Sequence, residues 1–153
     1  MTNENMNAVV KEDVAGAELI EQMKNPNESF FCSIKDDGSR KSKVAIYNAI
    51  QTPDGKVADH INETLEVVNV VAHPVTLTDE QTGELFTALR TVLITKDGKS
   101  YEAVSGGISN ALARVFSIIG EPTDGAWEKE PVKMKIRQVQ TKGNNKINTI
   151  ELV

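Results

Sequence analysis

The sequence has little cysteine and no long apolar run, and each shortage excludes a class of protein. Its single cysteine, Cys32, can form neither an internal disulfide nor a thiolate metal site. No stretch of 18 apolar residues occurs, and the first residues, MTNENMNAVVKED, lack the basic and apolar regions of a secretory signal. We therefore expect a cytoplasmic protein without a membrane span, in which Cys32 is a buried small apolar residue.

What is present is the composition of an ordinary folded domain, somewhat poor in aromatic residues. Of the 153 residues, 39% are hydrophobic and 25% are charged, so one domain with a core is expected. The net charge of −5 disfavours a polyanionic partner, but residues 35–43 carry four bases and two acids, and residues 131–153 carry five bases and one acid. Because a ligand responds to the potential within about 8 Å, this acidic chain can still present a basic groove.

The first 28 residues differ from the rest and are expected to form an arm outside the domain, which spans residues 29–153. They carry six acids and two bases around a short amphipathic stretch. Its apolar residues are Val14, Ala17, Leu19, Ile20 and Met23. A lone helix of about a dozen residues is marginal in water, so the arm must stay flexible or bury its apolar side. Docking on a neighbouring copy would give a homo-oligomer along DNA, whereas a frayed tail or a mask over the basic groove is an equal alternative.

The first half of the domain is predicted to be rich in β-structure. Strands are predicted at 29–35 and in LEVVNVVAHPV (65–75), where both faces are apolar as in a barrel strand. The run KVAIYNAIQ (43–51) is ambiguous, and we predict a short helix. The run TDEQTGELFTALRTVLIT (78–95) fits a helical face, but Gly83 and the β-rich RTVLIT indicate a strand in its second half.

The second half of the domain has clearer signals. Asp97-Gly98 forms a hairpin turn between two β-rich runs. GISNALARVFSIIGEP has one apolar face at helical spacing and ends at Gly120. Residues 131–153 indicate a closing hairpin, with apolar side chains on one face and cations on the other. Three strands, a helix and two strands form the order of an OB-fold, a mainly β, five-stranded barrel with a helix between strands 3 and 4.

Several motifs of this segment also occur in one protein family. They are the R-x-V-L-I-x-x-D-G-K run from Arg90, the Y-x-A-V-S-x-G-I-x-N-A-L stretch from Tyr101, the G-E-P at 120–122 and the hairpin with the K-G turn at 142–143. Over roughly residues 29–153 the chain thus resembles the OB-fold single-stranded DNA-binding proteins of Gram-positive phages and conjugative plasmids. The resemblance implies a non-enzymatic protein that binds single-stranded DNA, without sequence preference, in phage or plasmid DNA replication or transfer.

Binding of single strands requires cations for the phosphates and flat side chains for the bases, since stacking contributes about 1–3 kcal/mol per base. Lys133, Lys135 and Arg137 alternate with apolar residues and form a row spaced by about 7 Å. Tyr47 and Tyr101 each have a nearby cation and a polar tip that tolerates exposure. The nucleic-acid-binding residues predicted from the sequence are Lys43, Tyr47, Arg90, Lys99, Tyr101, Lys133, Lys135, Arg137, Lys142 and Lys146.

The remaining features favour structural roles. Trp127 lies in an acidic loop that would repel phosphate, and the S-G-G run at 105–107 is either a flexible turn or a phosphate site at a helix N-terminus. His73-Pro74 is expected at a strand end or bulge. Because His60 and His73 lack cysteine partners and no hydrolase or nucleotide-binding motif occurs, we predict no metal, no cofactor and no catalytic site. Two rival functions stay open: an interaction or regulatory OB domain that does not bind nucleic acid, and a small hydrolase or sugar-binding barrel.

Overall fold

The computed structural model describes residues 31–153, so the predictions for the N-terminal arm and for the first two residues of the strand predicted at 29–35 lie outside the described residues. Seven strands and three helices make up this part of the chain, with short 3-10 turns at Val57–His60 and Thr123–Gly125. The elements are β1 (Phe31–Cys32), α1 (Arg40–Gln51), β2 (Gly55–Lys56), β3 (Thr64–Thr78), β4 (Leu85–Thr95), β5 (Ser100–Ala103), α2 (Gly106–Ile118), α3 (Ala126–Lys129), β6 (Val132–Gln140) and β7 (Lys146–Leu152).

β3 is the centre of the sheet because it pairs with three other strands. Residues 64–67 pair antiparallel with β6, residues 67–78 pair antiparallel with β4, and residues 71–72 pair with β1. Across the sheet the strands follow the order β2, β5, β4, β3, β6, β7. If the strands β3 to β7 are renumbered 1 to 5, their order across the sheet is 3-2-1-4-5, which is that of an OB-fold. The predicted fold, with a helix between the third and fourth of these strands, is confirmed.

The main core lies on the inner face of this curved sheet. A bulge between Val67 and Asn69 shifts the register of β3, so that Leu65 and Val67 before it and Val70 after it all face the core. Alternate residues of β6 complete this layer, as predicted: Val132, Met134 and Ile136. Burial of each such side chain contributes about 1.5–3 kcal/mol to the stability of the fold. The cations that alternate with the buried residues of β6 lie on the outer face of the sheet.

α2 and α3 fill the barrel from one side. The buried apolar residues of α2 are Ile108, Leu112, Ala113, Val115 and Phe116. Gly107, in its first turn, lies so close to β7 that a Cβ at this position would overlap the carbonyl oxygen of Asn148. This contact gives Gly107, in the S-G-G run at 105–107, a packing role. Trp127 of α3 packs its ring edge against Phe116, with 5.7 Å between the ring centroids, and only 2% of it is exposed.

α1 covers the outer face of the sheet where β3 and β4 meet. Ala49 and Ile50, in its last turns, pack against Val71 and Val92 in a second apolar cluster. Cys32 contacts the same cluster and is only partly buried, and this burial raises the pKa of its thiol. The outer surface of β3 and β4, the first two strands of the OB-fold order, therefore carries a helix in this protein. In OB-folds, oligonucleotides bind across the second and third strands, which are β4 and β5 here.

Two elements begin or end elsewhere than the sequence indicates. The strand expected at 29–35 is paired only over Phe31–Cys32 within the described residues. The helix expected at 43–51 is confirmed but begins at Arg40, because the Ser39 hydroxyl accepts a hydrogen bond from the Ser42 N–H and caps it.

The structure resolves the ambiguity of segment 78–95 and shows that the expectation for His73-Pro74 was wrong. Segment 78–95 contains no helix: β4 runs from Leu85, with Leu93 facing the core and Val92 facing α1, so both faces are apolar and mimic a helical pattern. His73-Pro74 lies inside β3, paired with β4, and is neither a strand end nor a bulge. Pro74 is tolerated because, among the described residues, β3 has a partner on only one side there.

Candidate nucleic-acid interface

One face of α1 carries an exposed aromatic residue, Tyr47, beside the cations of the basic segment 35–43. Arg40, Lys43 and Tyr47 follow one another at intervals of three and four residues, so they lie on one side of the helix, with Val44 beside them. Tyr47 is 63% exposed and Val44 45%. Lys43 pairs with Asp36 at 3.1 Å between Nζ and Oδ2. We call Arg40, Lys43, Val44 and Tyr47 the α1 face.

The loop before α1 contributes acids that stay ionised. Hydrogen bonds from Ser39 and Ser42 lower the pKa of Asp37 to about 2. Asp37 therefore carries its charge at neutral pH and offsets part of the positive charge of this region. Arg40 and Lys41 form no ion pair within residues 31–153 and are the cations of α1 that remain available to a phosphate.

Arg90 lies beneath the last turn of α1 and is only 12% exposed. Its Nη1 donates a 2.8 Å hydrogen bond to the carbonyl oxygen of Ile50 and lies 2.9 Å from Nε2 of His73, while its Nε faces Glu102 at 3.4 Å. Burial and the positive charge of Arg90 together lower the pKa of His73. In this position Arg90 joins α1 to β4 and so orients the α1 face.

Tyr101 and Lys99 lie near the turn between β4 and β5, at one mouth of the barrel. The ring of Tyr101 contacts the ring of His60, with 4.4 Å between centroids, and lines an open pocket of about 400 Å³. Lys96 lines the same pocket, and Lys99 is exposed on the turn. The strand register places Tyr101 on the core side of the sheet and Arg90 on the opposite side.

Lys133, Lys135 and Arg137 form a row on the outer face of β6, as their alternation predicts. We call these three residues the β6 row. Neighbouring strands place acids beside them, since Glu66 is opposite Lys133 and Glu151 is opposite Lys135. Nη1 of Arg137 donates a 2.6 Å hydrogen bond to Glu151. Two acids thus partly neutralise the row, which lowers its net charge below what the β6 sequence suggests.

The ten predicted residues fall into four places. Lys43 and Tyr47 lie on α1, and Arg90 lies beneath it. Lys99 and Tyr101 lie at the barrel mouth. The β6 row lies on the outer face of the sheet. Lys142 and Lys146 are exposed at the β6–β7 turn, where Lys146 pairs with Gln140 and so lies on the side of the sheet that carries Met134 and Ile136. The structure therefore keeps the α1 and β6 cations on the outer side of the sheet and separates them from Tyr101.

Two cations with suitable positions were missed from the sequence. Arg40 belongs to the α1 face. Ser39, a favoured N-cap residue, could have indicated from the sequence that the helix begins at residue 40. Lys96 lies at the barrel-mouth pocket because the β4–β5 turn folds back beside Glu66 of β3. That contact is long-range, so no local pattern could have indicated it.

Metal-ligand clusters and membrane-spanning helices are absent from the described residues. Between Phe31 and Val153, no group of three or more His, Cys, Asp or Glu side chains is arranged to hold a metal ion. No helix in the same part of the chain is long and apolar enough to cross a membrane.

Comparison with known families gives the context for this surface. A family model described as phage single-stranded DNA-binding protein, of the Phi29 type, matches residues 24–153. No curated protein and no solved structure matches the chain. The match covers the whole described domain, and the members of that family are DNA-binding proteins, not enzymes. The chain therefore belongs to the family of phage single-stranded DNA-binding proteins, and it has a single-stranded DNA-binding role in phage.

Proposed function

We propose that the protein binds single-stranded DNA independently of sequence and protects or presents it during DNA replication or transfer. The observation that carries this proposal is the α1 face, where Tyr47 is 63% exposed one turn after Lys43 and two turns after Arg40 on the helix that covers the sheet. An exposed aromatic ring offers a base a stacking partner, and neighbouring cations offer its phosphates a charge partner. Phage DNA replication is the favoured setting because of the family, and plasmid transfer is the second.

In this proposal the DNA strand contacts three surfaces. On the α1 face, Tyr47 stacks on a base while Arg40 and Lys43 contact phosphates. The β6 row, together with Lys142 and Lys146 at the nearby turn, contacts further phosphates of the DNA backbone. At the barrel mouth, Lys99 and Tyr101 receive a base. The pocket beside Tyr101, at about 400 Å³, lies within the usual size range of small-ligand sites. Arg90 acts indirectly by holding α1 in place.

Independence of sequence follows from the kinds of contact that these groups make. Lysine and arginine contacts to phosphates position a strand but carry no base information. Stacking on tyrosine uses the flat face that every base has. A protein that relies on both is expected to bind any single strand, with preferences set by stacking strength.

We also infer that residues 1–28 act as an arm that links neighbouring copies along a coated strand in the cytoplasm. The arm carries six acids and two bases and an apolar stretch that the completed barrel does not require. Deletion of residues 1–26 distinguishes the alternatives. Reduced cooperativity on long oligonucleotides supports the linking arm, tighter binding to a short oligonucleotide supports a mask over the groove, and unchanged binding on both contradicts a role in DNA binding.

A mobility titration with dT oligonucleotides of graded length tests the main proposal, with dA and mixed-sequence oligonucleotides of the same length beside them. Similar affinities for all three sequences are expected, and the affinity should fall with salt by about 0.7 in log–log slope for each phosphate that the protein neutralises. The matched duplex is the control and should bind much more weakly. A duplex that binds as tightly as the single strand would contradict stacking, because paired bases offer no free faces.

A further inference from the structure

The far end of the β3–β4 hairpin carries exposed apolar side chains on both faces and an acidic rim. Leu77 and Phe86 form a cross-strand pair on one face, and Leu85, which is paired with Thr78, lies on the other; Leu85 is 72% exposed and Phe86 47%. The rim residues are Asp79, Glu80 and Glu84, and no lysine or arginine occurs between residues 74 and 89. We call these six residues the hairpin tip. Adjacent exposed apolar residues, unlike scattered ones, indicate a contact surface.

A second exposed apolar surface lies between α2 and β7, far from the tip in sequence. It is a groove of about 360 Å³ whose apolar lining includes Ile118, Ile147 and Leu152. Ile118 is 80% exposed and the other two are about 40% exposed. Arg114 lines the groove, and Lys146 directly precedes Ile147. We call this surface the α2–β7 groove.

The charges of the hairpin tip decide among its candidate partners. DNA is disfavoured because three acids would face its phosphates. The N-terminal arm is disfavoured because residues 1–28 have four more acids than bases. Two tips packed against each other are also disfavoured, since like charges across an interface cost energy. A partner with an apolar centre and a basic rim is required.

The α2–β7 groove has that combination. Neither Arg114 nor Lys146 forms an ion pair within residues 31–153, and the acid of β7, Glu151, is already paired with Arg137. Exposed isoleucines and a leucine would meet the exposed Leu85 and Phe86. The two surfaces are therefore complementary in both hydrophobicity and charge.

We propose that the hairpin tip of one copy docks in the α2–β7 groove of the next copy. Such a contact joins two different surfaces, so each bound copy leaves one tip and one groove free, and the assembly is open-ended. The contact is small compared with the roughly 1,200–2,000 Å² of a stable interface, so it is weak between free molecules. It becomes effective when a DNA strand holds copies side by side, because the effective concentration is then high.

The test uses the full chain without DNA, so that it does not depend on the proposed function. Sedimentation equilibrium is measured for the wild type, for the tip variant Leu85→Gln/Phe86→Gln and for the groove variant Ile118→Gln/Ile147→Gln. Two controls accompany them: Phe86→Leu, which keeps the tip apolar, and Val104→Gln, which removes an exposed apolar residue that belongs to neither surface. The substituted residues are exposed, and circular dichroism verifies that each variant is folded.

The wild type and both controls are expected to associate as concentration rises, whereas each double variant should associate at least about tenfold more weakly. Mixing the two double variants is the decisive step, because one molecule keeps an intact groove and the other an intact tip. The mixture should form one-to-one dimers and no longer species. A wild type that stays at 16.7 kDa at about 1 mM, variants that associate normally, or a mixture without dimers would each overturn the proposal.

DNA binding separates this inference from the proposed function. On a dT oligonucleotide long enough for one copy only, both double variants should bind as the wild type does. On a long strand they should lose cooperativity. Weaker binding of the tip variant to the short oligonucleotide would show that the tip contacts DNA and would overturn the docking proposal. Failure of the wild type to bind short oligonucleotides would contradict the proposed function and leave the sedimentation result to decide the docking.

Discussion

The guanidinium group of Arg90, on β4, donates a 2.8 Å hydrogen bond to the carbonyl oxygen of Ile50, in the last turn of α1. This bond joins the sheet to the helix that carries Tyr47. Arg90→Met would leave the Ile50 carbonyl and Glu102 without their partner in a largely buried place. We expect a loss of about 1–3 kcal/mol in the free energy of unfolding, measured by urea denaturation. Lys43→Met is the matched control, since Lys43 is exposed, and it should change stability by less than about 0.5 kcal/mol.

Tyr47→Ala should weaken single-stranded DNA binding while leaving the fold intact. The side chain is 63% exposed, so its loss removes little packing, and alanine favours the helix. If Tyr47 stacks on one base, the loss is about 1–3 kcal/mol, or roughly 5-fold to 150-fold in the dissociation constant for a dT oligonucleotide. Tyr47→Phe should retain most of the affinity. Equal binding by the alanine variant would exclude Tyr47 from the interface.

The β6 row should contribute to the salt dependence of binding. Alanine at Lys133, Lys135 and Arg137 together should weaken every sequence alike and reduce the log–log salt slope by up to about 2, at about 0.7 for each phosphate that is no longer neutralised. Glu151→Gln provides the opposite change, because it frees Arg137 from its ion pair. That variant should bind more tightly at low salt. A triple variant with unchanged affinity and slope would show that the row only faces solvent.

Stability should decrease on the acidic side of neutrality because of His73. Burial and the charge of Arg90 hold the pKa of His73 below the 6.5 of an unfolded histidine. The unfolded chain therefore binds more protons as the pH falls through 6.5, and folding becomes less favourable. His73→Gln should flatten the unfolding free energy between about pH 7.5 and 5.5. Asp37, with a pKa of about 2, does not titrate in this range. An unchanged slope in the variant would contradict the assignment.

Gly107→Ala and Gly106→Ala form a matched pair in the first turn of α2. A methyl group at 107 would overlap the Asn148 carbonyl oxygen of β7, whereas nothing lies within 4 Å of the corresponding position at 106. We expect Gly107→Ala to destabilise the protein by about 1–3 kcal/mol and Gly106→Ala to be neutral or stabilising. Thermal unfolding of the two variants measures the difference. Weaker DNA binding by a stable Gly107→Ala protein would instead indicate a phosphate site at this turn.

The sequence could predict the elements whose pattern is local. The alternation in β6 and the 3.6-residue spacing in α2 each depend on one buried face, and both were confirmed. β4 was ambiguous because it is covered on both sides, by the core at Leu93 and by α1 at Val92. A strand without a solvent-facing side loses the alternation that distinguishes it from a helix.

The site was predictable in residue type but less so in position. Lysines and tyrosines could be selected from their neighbours, and Tyr47 is exposed as expected. Arg90 could not be assigned correctly to open surface or interior, because its exposure depends on a helix 40 residues away in sequence. The acids that neutralise the β6 row also come from other strands, and their pairing depends on the register of the sheet. Phe86 had no local signal, since it is apolar in a β-rich run and becomes notable only through its exposure.

The shared use of β3 by several partners has a consequence for the order of folding. Its pairing with β4 closes a short loop between residues 78 and 85, and hairpins of that kind form in about 1–10 μs. Its pairing with β6 brings Val67 beside Val132, which is distant in sequence. Such a contact forms slowly because closing a long loop costs conformational entropy. The hairpin is thus expected to form early and to serve as the template on which the last strands add. On this order, we expect the barrel interior to close and Trp127, which is 2% exposed in the folded protein, to become shielded from water only when the last strands add.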